Sequence, residues 1–171
     1  MSWSDYVDAA QRKAAIANFH CDQLRLALAD CKAPHDGRPD VATQAFFEGV
    51  VVAAVSAIDQ VAQAANSALR LGLSSGNLFA GASPEIESRV PEFKDWREDP
   101  IGRDLRRLRT RMVHYSYCKS ATSAPSWQVE VVDANYAGPR ELLAYAEAAA
   151  AYAQRLGAIA ERLRLSLAAN S

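Results

Sequence analysis

Apolar residues along this chain recur at helical spacing, and the breaks in that rhythm divide it into five helical segments. The first is expected from about Ser4 to Cys31, with Ser4 or Asp5 as its N-cap, ending before the turn-forming Pro34-His35-Asp36-Gly37. The second runs from near Asp40 to about Leu71. Its Gly49–Ile58 stretch is apolar nearly all round, so it reads as the central core helix. Beyond that, Ser56, Asp59, Gln60, Gln63, Ser67 and Arg70 form a polar stripe. Gly72 to Ser83 reads as a Gly/Ser connector without the GK[ST] ending of a phosphate-binding loop. Ser83-Pro84-Glu85 is expected to open a short helix, with serine as cap and proline at the first helical position. Pro91 and Pro100 bracket another short piece.

The fourth segment spans about Ile101 to Tyr117, with Ile101, Leu105, Leu108, Met112 and Tyr115 on one narrow stripe. Residues 119–126 are polar and read as a loop. Trp127 to Val132 alternates enough for a short strand or extended arm, which alone must pack irregularly or pair across a dimer. The last helix is expected from Pro139 to about Leu167, with its core stripe at Tyr145, Ala149, Tyr152, Leu156, Ile159 and Leu163. The expected fold is all-α: one domain over residues 1–171, an antiparallel bundle of four long helices plus a short one, and the extended arm near 127–132.

Composition narrows the function classes. Half of the 171 residues are apolar and 23% are charged, with a net charge of −1 and a pI of about 6.3. A protein that coats nucleic acid without specificity is far more basic, so any such contact must be local. The first residues lack a basic-then-apolar leader, and Gly49–Ile58 is about half the length a bilayer-crossing helix needs, so no membrane role is expected. Cys21, Cys31 and Cys118 make an odd count in no framework, which reads as free thiols of a reducing cytoplasm. His20, Cys21, Cys31 and His35 lack metal-ligand spacing, so neither a metal nor another cofactor is expected. The absence of Glu-x-x-His pairs argues against a ferritin-like bundle.

One segment carries concentrated chemistry. Arg103, Arg106, Arg107, Arg109 and Arg111 stand on the 101–117 helix against a single acid, Asp104, with Arg97 and Lys119 flanking them. One reading is a solvated face bridged to the acid-rich 85–99 segment (Glu85, Glu87, Glu92, Asp95, Glu98, Asp99). The other is a phosphate-binding surface, with guanidinium groups clamping oxygens and a histidine titrating near neutrality. His114 falls roughly 140° from the core stripe at 100° per residue, and Val113 also lies off it, so both face solvent or a partner subunit.

Arg109-Thr110-Arg111-Met112-Val113-His114 resembles the R-x(4–6)-H signature of the HEPN superfamily, with Thr110 in the polar slot and an aromatic, Tyr115, after the histidine. The preceding helix, with Asp59 and Asn66 two turns apart, is similar to an earlier helix of those domains. The resemblance covers about Asp40 to Cys118 plus the closing helix, and only the short motif is specific. It implies a small helical domain acting as a homodimer, a metal-independent endoribonuclease of toxin, phage-defence or RNA-processing type. Arg109 and His114 would be catalytic, and Arg107, Thr110 and Arg111 would bind substrate. It also implies RNA as substrate and an antitoxin or nucleotidyltransferase as a possible partner. Two departures stand out: Thr110 replaces the commoner asparagine, and Ser116 occupies a position where some members carry a modifiable tyrosine. Arg109 and His114 do not share a helix face, so Arg109 must reach round with its long side chain or the two must belong to different half-sites. The resemblance implies the second, a composite cleft of two subunits. The alternative is a non-catalytic helical module for dimerisation or for binding a nucleotide or protein.

Overall fold

The computed structural model describes residues 1–30, 40–112, 118–120 (backbone only) and 127–169. These form helices α1 (Trp3–Asp30), α2 (Val41–Leu69), α3 (Leu78–Arg89), α4 (Phe93–Glu98), α5 (Pro100–Met112) and α6 (Leu142–Ala168). Two three-residue strands, β1 (Cys118–Ser120) and β2 (Trp127–Val129), lie between α5 and α6. The architecture is an all-α helical bundle, as the periodicity predicts. Its three longest helices, α1, α2 and α6, pack on one another; α3 and α5 also pack on α2, and α4 packs against α3 and α5. The expected short piece between Pro91 and Pro100 is the helix α4, anchored by buried Phe93 and Trp96.

The core follows from residue spacing. On α1, Val7, Ala10, Ala14, Ala17, Cys21 and Leu24 recur every three or four residues and are all buried. The alanines let α6 approach closely, and an added Cβ at Gly157 would stand 3.5 Å from that of Ala14. On α2, Val50, Val51, Ala54, Ala57, Ile58 and Val61 point in several directions and all are buried, as a central helix requires.

Helix ends differ from the sequence expectation where a tertiary or one-turn-earlier partner decides them. The cap of α1 is Ser2: its hydroxyl accepts from Asp5 N–H at 3.3 Å while the Asp5 carboxylate accepts from Ser2 N–H at 2.7 Å. Helix α3 begins at Leu78, so Pro84 stands inside it and the Gly/Ser connector is shorter than expected. Burial of Leu78, Ala82 and Ile86 on one face outweighs the hydrogen bond that Pro84 cannot make, and Ser83 donates to the Phe79 carbonyl at 2.6 Å instead of capping. Glu141 caps α6 by accepting from Leu143 and Ala144 N–H, two residues beyond the expected start at Pro139.

Strand β2 is not an unpaired arm. It pairs antiparallel with β1 of the same chain, Cys118 opposite Val129 and Ser120 opposite Trp127, and Val129 N–H also donates to the Arg140 carbonyl. Residues 118–120 supply the missing partner strand, although 119 and 120 were expected to be loop. Trp127 and Val129 are buried and Gln128 is exposed, the alternation the sequence shows.

Candidate functional site

Helix α5 buries Ile101, Leu105 and Leu108, as its stripe predicts, but it also buries Asp104 completely. A buried carboxylate is tolerable only when its oxygens are satisfied. Here one oxygen accepts from Val132 N–H at 2.5 Å and Asp133 N–H at 2.6 Å, and the other from the Tyr145 hydroxyl at 2.5 Å. Asp104 thereby ties α5 both to the chain after β2 and to α6. Burial, reinforced by the Asp104 charge, raises the Tyr145 phenol far above its ordinary value, and burial pushes neighbouring Tyr136 up to about 12.

The arginines divide according to the carboxylates they meet. Arg103 and Arg107 share buried Asp133, at 3.3 and 3.7 Å, and Asp133 also accepts from Asn135 N–H at 3.0 Å. Arg111 pairs with Glu130 at 3.1 Å, and both are about one-third exposed. Arg109 points the other way, toward α2, and meets Asp59 at 3.3 Å. Arg106 has no carboxylate partner among the described residues; it lies 4.2 Å over the Phe79 ring, where burial lowers its pKa. The strip is bridged by acids, as one sequence reading expects, but they come from α2 and from the segment after β2. Of the acids in 85–99, Glu87 and Glu98 pair with Arg97, and Glu92 with Arg162 of α6.

Four of the arginines therefore pair with Asp59, Glu130 and Asp133; with Arg106 and buried Asp104 counted too, the five arginines exceed the four acids by about one positive charge. What distinguishes the pairs is how easily a competing anion could replace the acid. Asp133 is 3% exposed and structurally engaged, so Arg103 and Arg107 serve the fold. The Arg109 and Asp59 side chains are 45% and 48% exposed, and such a pair contributes about 0–1 kcal/mol.

The expected site residues are thus not gathered in one place. Arg107 and Arg111 face the segment after β2, Arg109 faces α2, and Thr110 directs its hydroxyl to the Arg106 carbonyl at 3.3 Å. His114 lies outside the described residues, as do Val113, Tyr115, Ser116, Cys31 and His35. Asn66 has a local role, accepting from Leu73 N–H and donating to its carbonyl just after Arg70, which ends α2 in the left-handed conformation. Among the described residues no three His, Cys, Asp or Glu side chains cluster as metal ligands. Sequence reasoning missed the structural importance of Asp104, Glu130 and Asp133. A lone acid in an arginine run was the available signal for Asp104. No protein-family model, curated protein or solved structure matches this chain.

Proposed function

We propose that this chain is a HEPN-like helical domain that cleaves RNA without a metal, using Arg109 and His114 of paired subunits. The observation that carries the reading is the exposed Arg109, whose one carboxylate partner among the described residues faces solvent, on the helix that precedes the motif histidine in the chain. A phosphate brought to that guanidinium would displace Asp59 at little cost, because the exposed ion pair contributes so little. In the proposed reaction the ribose 2′-oxygen attacks the adjacent phosphorus and the 5′-oxygen leaves. His114 moves the proton, and Arg109 stabilises charge developing on the phosphorane oxygens. Arg111, whose pair with Glu130 is also partly exposed, is the second phosphate contact. Thr110 and Arg107 are weaker candidates: one hydroxyl bonds its own helix, and one guanidinium leans on buried Asp133.

A second reading has its own support. Pairing of Arg103, Arg107, Arg109 and Arg111 with carboxylates of the same chain favours a non-catalytic helical interaction module. The experiment that separates them is RNA cleavage in EDTA by wild type, Arg109→Ala and His114→Ala, with oligomeric state measured on each. The proposal expects cleavage by wild type alone and a dimer in all three. Cleavage that persists in folded His114→Ala protein overturns it. RNA binding that is absent at low salt favours the module.

A further inference from the structure

A pocket of about 280 Å³ opens between the start of α5, residues 136–139 and α6. Its walls are largely apolar, formed by Ile101, Tyr136, Pro139, Ala148, Ala151 and Tyr152. Both phenolic hydroxyls already have acceptors: Tyr136 donates to the Pro139 carbonyl at 3.0 Å and Tyr152 to the Trp96 carbonyl at 3.3 Å. The two charged groups on the lining are Asp99 and Arg155. Asp99 serves the fold, one oxygen accepting from Ile101 N–H at 3.0 Å to cap α5. Arg155 differs: it pairs with no carboxylate among the described residues, and its guanidinium sits 5.5 Å above the Trp96 ring. The side chain is therefore laid along an aromatic face, with its donors unmatched by any acid among the described residues.

We propose that this pocket binds a small apolar monocarboxylate, its body between the two tyrosines and its carboxylate on Arg155. Size sets the body. An apolar cavity of about 150 Å³ holds a benzene ring, so this pocket takes one ring with a short chain or a fused pair of rings. Charge sets the head. One guanidinium matches one carboxylate, and Asp99 on the same wall opposes each further negative charge, which favours a single anionic group over a polyanion. The site is independent of the proposed RNA chemistry, since none of its residues belongs to the motif.

The test uses 3-phenylpropionate and its uncharged amide as probes, with binding to the full chain followed by calorimetry. The wild type is expected to bind the acid at least tenfold more tightly than the amide. Arg155→Gln should lose that preference while still binding the amide, and Ala151→Leu, which fills the pocket from an exposed position on α6, should bind neither. Equal affinity for acid and amide in the wild type overturns the proposal. So does the absence of saturable binding at millimolar concentration, a preference retained in Arg155→Gln, or binding unchanged in folded Ala151→Leu.

Discussion

The two halves of α5 contain the same kinds of residue and use them differently. In the first half, Arg103, Asp104 and Arg107 belong to a network in which both carboxylates, Asp104 and Asp133, are sealed from water. In the second half, Arg109 and Arg111 meet Asp59 and Glu130 at pairs open to solvent. A sealed carboxylate that loses its partners cannot turn to water, whereas an exposed one can. The first half therefore builds the protein, and the second half is free to serve another purpose. Sequence position alone does not separate them, because charge density is similar throughout the helix.

The largest expected effect comes from breaking the sealed half. Asp104→Ala removes the acceptor of two backbone N–H groups and one phenol, and should cost about 3–5 kcal/mol in denaturant unfolding. A loss below about 1 kcal/mol would mean that the network is not sealed. Alkaline pH should act on the same region. The unfolded chain releases a phenol proton near 10, while folded Tyr136 holds its proton to about 12 and Tyr145 and Tyr152 hold theirs still higher. Between those values the folded state carries the extra protons, so stability is fully present below pH 10 and falls as pH rises above it. Each such tyrosine contributes a slope of about 1.4 kcal/mol per pH unit. Unfolding midpoints at a series of pH values should reveal this fall, with a shallower slope for Tyr152→Phe.

Next in size is Gly102→Ala, because a Cβ there would collide with the Tyr152 hydroxyl. Overpacking of this kind should lower stability by about 1–3 kcal/mol, visible as a reduced Tm. The smallest stability effect belongs to the open half: Arg109→Ala should change unfolding by less than about 1 kcal/mol. Under the proposed function the same substitution should lower RNA cleavage about a hundredfold, so stability and activity should part company there. If Arg109→Ala unfolds the protein as Asp104→Ala does, the contrast between the halves is gone.

The stripe Ile101–Leu105–Leu108 and the seam of α6 were legible because helical period and burial are local properties of the sequence. The partners of Asp104 were not, since they lie 28, 29 and 41 residues away and meet it only through the path of the chain after β2. The start of α3 was hidden for a related reason. Pro84 looks like a helix opener in isolation, and only packing of Leu78 against the bundle extends the helix backward past it. For the candidate site, the sequence could place Arg107 and Arg111 on one side of the helix and Arg109 on another, as they are found. It could not tell which acid each arginine meets, because Asp59, Glu130 and Asp133 are distant along the chain.

Helix α2 has a consequence for how the protein is made. Val41–Leu69 is long and apolar enough, by length and composition, to cross a membrane, yet half of its most apolar stretch is buried within the bundle. That cover comes from both directions along the chain, from α1 before it and from α6 after it. During synthesis α1 is already made when α2 emerges, but residues 142–168 follow α2 and leave the ribosome later. Until then the nascent chain carries an apolar surface with part of its cover missing, the condition under which chains aggregate or are held by chaperones.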